Sequence, residues 1–165
     1  MKSKHQSEPF RFKQFSVNND KCAMKVGTDA VLLGAWMDLD NAQSILEIGT
    51  GSGVIALMVA QRTPADAHID AIEIEEQDAT QAKENVKNSP WPSKIGIHQA
   101  AFQDFENKTK YDLIFSNPPY FNKSLLPPSS ERSRVRHTNT LSYEELIVHS
   151  LRLINTKGKL AVILP

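Results

Sequence analysis

Apolar residues along the chain fall into short blocks whose spacing changes back and forth between two periods. Four runs rich in β-branched and apolar residues predict strands at Ser44–Ile48, His68–Ile74, Ile95–Ala100 and Asp112–Ser116, and a fifth is predicted at Lys159–Leu164. Between them the pattern is helical. Val54–Gln61 predicts one helix, and Gln77–Lys87, with Ala79, Ala82 and Val86 at helical spacing before the break at Asn88-Ser89-Pro90, predicts another. Ahead of the fifth strand, Tyr143, Leu146, Ile147, Leu151 and Ile154 share one helical face, opened by a Ser142-x-x-Glu145 capping box and closed by Asn155-Thr156-Lys157-Gly158. This β-α-β-α-β alternation predicts an α/β fold: a parallel sheet with helices on both faces.

Two segments break the rhythm. Residues 1–27 read as polar and irregular up to Thr28, which is expected to cap an apolar helix over Asp29–Met37. Phe121–Thr140 contains Pro127-Pro128-Ser129-Ser130, too rich in turn formers for a helix or strand and long for a plain connection. There is no internal repeat. A single domain over 1–165 is expected, with an N-terminal extension and helix at 1–43 and the sheet-bearing core at 44–165.

With 165 residues and 40% hydrophobic content, the chain can bury a substantial core. Its 19 basic and 19 acidic residues cancel, so net charge does not mark it as a polyanion binder, and charge has to be read locally. Residues 1–25 carry Lys2, Lys4, Arg11, Lys13, Lys21 and Lys25 against Glu8 and Asp20. Phe121–Thr140 carries Lys123, Arg132, Arg134 and Arg136 against Glu131. The longest apolar run, Val54–Ala60, is far below the roughly 20 residues that span a bilayer, and the amino terminus has no signal-like apolar stretch. A cytoplasmic protein with no membrane partner, monomeric, is expected. The single cysteine, Cys22, reads as a small buried apolar residue, and no Cys/His cluster has zinc-site spacing.

Candidate chemistry gathers at strand ends. The first strand runs into Glu47-Ile48-Gly49-Thr50-Gly51-Ser52-Gly53, where glycines allow a sharp turn and close backbone approach to a ligand at a helix start. A dinucleotide fingerprint wants glycines at relative positions one, three and six, whereas Gly53 stands at five and Val54 at six, which disfavours a nicotinamide cofactor. No Walker lysine follows. Glu73 ends the second strand 20 residues after Gly53, where a carboxylate can accept from both hydroxyls of a ribose; Glu75 and Glu76 suit the acidic start of a helix better. Directly after the fourth strand comes Asn117-Pro118-Pro119-Tyr120. Two prolines stiffen this turn, leaving the Asn117 side-chain oxygen and a backbone carbonyl as fixed acceptors for the two hydrogens of a planar amino group, with the Tyr120 ring available for stacking.

In combination these features resemble class I S-adenosylmethionine-dependent methyltransferases of the amino-methylating type, with their Rossmann-like sheet. Arg11-Phe12-Lys13-Gln14-Phe15, Cys22-Ala23-Met24-Lys25-Val26-Gly27-Thr28-Asp29 and Leu32-Leu33-Gly34-Ala35-Trp36 resemble, more closely, the bacterial tRNA1(Val) (adenine-37-N6)-methyltransferase family. The resemblance implies S-adenosylmethionine as cofactor and tRNA as substrate. It implies that Glu47, Gly49, Gly51 and Gly53 line the cofactor's methionine and sugar, that Glu73 holds the ribose, and that Lys25, Thr28 and Asp29 belong to the segment over the methionine end. Asn117, Pro118 and Tyr120 are implied as the catalytic group that holds the target base. The family's acidic residue near position 101 is replaced by Ala100-Ala101-Phe102-Gln103-Asp104, so the cofactor adenine is assigned to Ala101 and Phe102 or to Asp104. The family continues past the fifth strand, so the chain reads as truncated there, with its C-terminal strands missing and an apolar edge left behind. Protein glutamine methyltransferases and DNA or rRNA amino-methyltransferases share the Asn-Pro-Pro-Tyr motif. The first usually carry a helical domain before the sheet and the DNA enzymes a recognition domain. A catalytically silent cofactor- or RNA-binding module is the alternative of another class.

Overall fold

The computed structural model describes residues 8–118 and 141–164. Five parallel strands form the central sheet: β3 (Ser44–Ile48), β4 (His68–Glu73), β5 (Ile95–Gln99), β6 (Tyr111–Ser116) and β7 (Ile154–Val162), in the spatial order β5-β4-β3-β6-β7. The first strand of the series thus lies in the middle and the order reverses beside it. Helices α1 (Thr28–Trp36), α2 (Val54–Arg62) and α3 (Glu76–Lys87) and a final helix α4 (Tyr143–Leu153) connect the strands or precede them.

Alternation along β3 divides the interior in two. Ile45 packs with Ile69, Leu113 and Phe115 against α1, α2 and α3, whereas Leu46 and Ile48 pack with Ile72, Ile114, Leu146 and Leu153 under α4 and a short 3-10 turn at Phe102–Asp104. Because both faces are covered, β3, β4 and β6 are buried almost throughout, and the charged side chains buried among them, Glu47, Asp70 and Glu73, are hydrogen-bonded. Register places Ile48 beside Ile72 on one flank and beside Ser116 on the other, so three strand ends finish level.

Several expectations are corrected. Residues 8–27 are not simply irregular: β1 (Phe10–Arg11) and β2 (Ser16–Val17) pair antiparallel, and Phe15, Val17 and Cys22 are buried. Phe15 stacks on Phe12 and meets the edge of Trp91, which ties this hairpin to the domain. Thr28 is the first residue of α1 and does not cap it; extended Gly27 holds the cap position with no side-chain bond. The Ser142–Glu145 capping box of α4 is present in both directions. Its buried line, however, is Leu146, Ser150 and Leu153, and Ile147 and Leu151 are exposed. Asn155–Gly158 does not end the helix in a turn. It lies within β7 as a bulge, where the register jumps from Tyr111 opposite Ile154 to Leu113 opposite Lys159. The Asn155 side chain makes the local turn bond from the Lys157 N–H and also reaches Asp112. Turn chemistry is spent on kinking a strand. The segment Phe121–Thr140 lies outside the described residues.

Candidate active site at the carboxyl ends of the strands

β3 ends at Ile48 and the chain turns at once. Gly49, Gly51 and Gly53 have φ of +73°, +55° and +81°, values that a residue with a Cβ adopts only at a cost of roughly 1–2 kcal/mol. At Gly49 and Gly51 an added Cβ would meet nothing within 4 Å, so open space lies above the turn; at Gly53 it would stand 3.4 Å from the Ala82 Cβ, so this glycine lets α3 approach. The turn is anchored from below by the Gly49 and Thr50 N–H groups, which donate to the Ile72 carbonyl at 2.9 and 3.0 Å.

Glu73, at the end of the neighbouring strand, accepts from the Gly51 N–H at 2.8 Å through one oxygen and from the Glu75 N–H at 3.0 Å through the other. Each oxygen keeps a second lone pair for a ligand hydroxyl. Burial raises the Glu73 carboxyl above its ordinary value, against the pull of those N–H groups. Glu47 is placed differently: it is 1% exposed, beneath the turn rather than in its opening, and its Oε2 accepts from the Thr50 hydroxyl at 2.6 Å while Oε1 has no partner. Burial pushes its carboxyl up to about 8, so it is largely neutral at pH 7.

On the other side of β3, the Ser116 hydroxyl donates to the Ile48 carbonyl at 2.8 Å, and the next residues, Asn117 and Pro118, are half-buried at the end of β6. Tyr120 lies outside the described residues. Thus the glycine turn, Glu73 and Asn117 converge on one end of the sheet, at the point where strand order reverses. This is where ligands bind in open α/β sheets.

The segment before α1 approaches the same end. The Lys25 ammonium is held by the carbonyls of Asn19, Asp20 and Cys22 at 2.6, 3.2 and 3.3 Å, which folds residues 19–25 into a compact loop. Cys22 is buried and its thiol is pushed up to about 11, first by burial and then by the charges of neighbours including Asp78 and Glu73. Thr28 is exposed and Asp29 half-buried at the start of α1. On the Glu73 flank, the Ala100 N–H donates to the Glu73 carbonyl at 3.0 Å, Ala101 is half-buried and Asp104 exposed. Phe102 is packed in the second core, edge-on to His149.

Sequence reasoning overlooked Asn85 of α3, a 2%-exposed amide bonded to both Asn18 and Ser52. The signal was a run of polar residues, Asp78, Gln81 and Asn85, on the same helical face as Ala82. A second polar cluster lies away from the crevice on β4, where Asp70 accepts from Tyr111 at 2.7 Å and contacts His98 and His68 at 2.7 and 3.2 Å. A cavity of about 580 Å³, lined by Asp38, Asp112, Asn155 and Lys159, opens at the amino ends of the strands, opposite the glycine turn. Among the described residues there is no group of ligands suited to a metal ion, and no helix is long and apolar enough to cross a membrane.

The sequence model of a family described as O-methyltransferase matches residues 3–125. A protein of Bacteroides thetaiotaomicron named tRNA1(Val) (adenine(37)-N6)-methyltransferase is 50% identical over 156 residues, covering 94% of the chain and 66% of the relative. One of the same name from Bacteroides fragilis strain YCH46 is 50% identical over 163 residues, covering 96% and 68%. The chain therefore spans about two thirds of the length of these curated relatives. Among solved structures, TrmN from Thermus thermophilus superimposes with a TM-score of 0.61 at 23% identity, covering 82% of the chain and 38% of that protein. The O-methyltransferase TomG of Streptomyces achromogenes, solved with S-adenosylmethionine, gives 0.59 at 19% identity, covering 84% and 56%. At these identities the structures show the shared Rossmann-like fold.

Proposed function

The chain belongs to the tRNA1(Val) (adenine(37)-N6)-methyltransferase family, and from that membership we propose that it binds S-adenosylmethionine over the Gly49–Gly53 turn and methylates the exocyclic amine of the adenine 3′ of the anticodon in a tRNA. The observation that carries the reading is the meeting of the glycine turn, Glu73 and Asn117 at one topological switch point. The family model names oxygen acceptors and the curated relatives an adenine nitrogen. The relatives and Asn117, which suits an amine, support nitrogen as the acceptor, while the glycine turn and Glu73 serve the methyl donor whichever atom accepts.

The residues present fit the cofactor. Open space over Gly49 and Gly51 admits a ligand against bare backbone, and the spare lone pairs of Glu73 suit the two hydroxyls of a ribose. When bound, the cofactor supplies a methyl group activated by its sulfonium. The protein's task is then to align the acceptor with it, which alone removes much of the barrier. Asn117 Oδ1 and the Pro118 carbonyl accept the two hydrogens of the adenine amine, whose lone pair is otherwise delocalised into the ring. As positive charge develops on nitrogen these acceptors bind it more tightly than they bind the ground state. The proton leaves to solvent after transfer. The base must be unstacked to enter the crevice, and Tyr120 is assigned the compensating stack. Arg11 and Lys13, exposed on the hairpin, are assigned to tRNA phosphates, in the cytoplasm where tRNA is modified.

Calorimetric titration of the chain with S-adenosylmethionine tests the cofactor assignment. Binding is expected, weakened at least tenfold in Glu73→Ala, which loses the ribose acceptors and frees the Gly51 N–H. Preference for a nicotinamide dinucleotide would overturn it.

A further inference from the structure

Asn85 stands near the end of α3 and is buried, yet its amide is fully used by backbone groups from two distant segments. Nδ2 donates to the Ser52 carbonyl in the glycine turn at 2.8 Å and to the Asn18 carbonyl at 2.7 Å. Oδ1 accepts from the Asn18 N–H at 3.0 Å. The contacts span 33 and 67 residues of sequence, so nothing local creates them. The same helix holds the rest of the arm: Asp78 accepts from the Ala23 N–H at 3.3 Å, and exposed Glu84 pairs with Lys21 at 3.0 Å.

We propose that Asn85 is a positioning residue for the methyl-donor site, fastening the glycine turn and the segment Asn18–Ala23 to one side chain so that the two order together. This rests on the cofactor reading above. The chemistry needs an amide at this position. Aspartate would set a charged acceptor against two carbonyl oxygens, and alanine would leave one buried N–H and two carbonyls unpaired. Ser52 is the residue between Gly51, which bonds Glu73, and Gly53, which holds the cap position before α2. Releasing its carbonyl therefore loosens the turn at its centre. Exposed Lys21–Glu84, by contrast, contributes little, as solvent-exposed pairs do.

The test combines calorimetry with amide hydrogen exchange at 25 °C, where both read only folded protein. In the wild-type chain, saturating S-adenosylmethionine is expected to slow exchange in Asn18–Ala23 together with Gly51–Gly53. Asn85→Ala and Asn85→Asp are expected to weaken cofactor binding about tenfold and to speed exchange in those two segments, leaving β3 and β4 protected. Asn18→Ala keeps the backbone donor and acceptor and should match wild type. Protection of the glycine turn alone in the wild-type experiment overturns the proposal without need of a variant that folds. So does a lowered melting temperature in the Asn85 variants with affinity unchanged within twofold. Wild-type protein that binds no S-adenosylmethionine would instead sink the cofactor reading, and this inference with it.

Discussion

Replacing Glu47 by glutamine isolates one buried proton. The carboxyl lies at 1% exposure under the glycine turn, one oxygen on the Thr50 hydroxyl and the other without a partner. Burial, with a smaller contribution from the Glu73 charge, raises it from an ordinary 4.5 to about 8, against the pull of Thr50 and the Ala56 N–H. In the unfolded chain it ionises near the ordinary value. Between about pH 4.5 and 8 the folded protein therefore holds a proton that the unfolded chain has released, and stability falls as pH rises through that window. Each pH unit inside the window is worth about 1.4 kcal/mol, so this one group removes on the order of 4 kcal/mol between pH 5 and pH 9. Glutamine keeps the size and an acceptor for Thr50 and cannot ionise. Urea unfolding of both proteins at pH 5, 7 and 9 should show the variant gaining on the wild type by that amount as pH rises. Any fixed offset from the amide drops out of the trend. A stability difference that stays constant within about 1 kcal/mol across the range would mean that Glu47 does not hold this proton in the folded protein.

Tyr111→Phe removes the phenol that donates to Asp70. Burial alone would raise the Asp70 carboxyl, but bonds from Tyr111 and His98 and the histidine charges outweigh it and hold it low, so its stabilisation is lost as pH falls through the depressed value. The variant should lose about 1–3 kcal/mol at neutral pH and unfold at a higher pH on acid titration; an unmoved acid midpoint would remove Tyr111 from the network. Gly158→Ala would drive a Cβ into the Ile154 side chain and to 2.8 Å from the Tyr111 carbonyl oxygen in the β7 bulge. A loss of roughly 1–3 kcal/mol in urea is expected, and wild-type stability would show that the bulge is not closed as described.

The parallel sheet was legible because its strands alternate with helices and place apolar residues on both faces. Ser44–Ile48 falls where its pattern puts it, and so does the glycine turn, since three left-handed residues in five leave little choice but glycine. What failed depended on contacts between distant segments. Ile147 and Leu151 looked as fit for burial as Leu146, but the 3-10 turn and β7 meet the line through Ser150 instead. Asn155-Thr156-Lys157-Gly158 has turn chemistry, and only the pairing with Tyr111–Leu113 reveals it as a strand bulge. Two-residue strands such as Phe10–Arg11 are too short for alternation to show. At the site, the residues of the crevice rim could be named from strand ends, but Glu47 was expected beside the cofactor and lies beneath the turn. The polar line Asp78, Gln81 and Asn85 is visible in the sequence, but the role of Asn85 is not, because its partners are backbone groups 33 and 67 residues away.

In the proposed reaction an amine acceptor presented by tRNA meets a methyl donor held over Gly49–Gly53, with Asn117 between them. The most direct measurement uses the protein as its gene encodes it, methyl-labelled S-adenosylmethionine, and three acceptors: unmodified valine tRNA, the same tRNA with guanine in place of the adenine 3′ of the anticodon, and duplex DNA. N6-methyladenine is expected in the first acceptor alone, at a rate lowered at least a hundredfold by Asn117→Ala, the loss typical of one transition-state acceptor, with cofactor affinity retained. Equal labelling of the guanine-substituted tRNA, labelling of the DNA in preference to the tRNA, or full turnover by the Asn117 variant would contradict it.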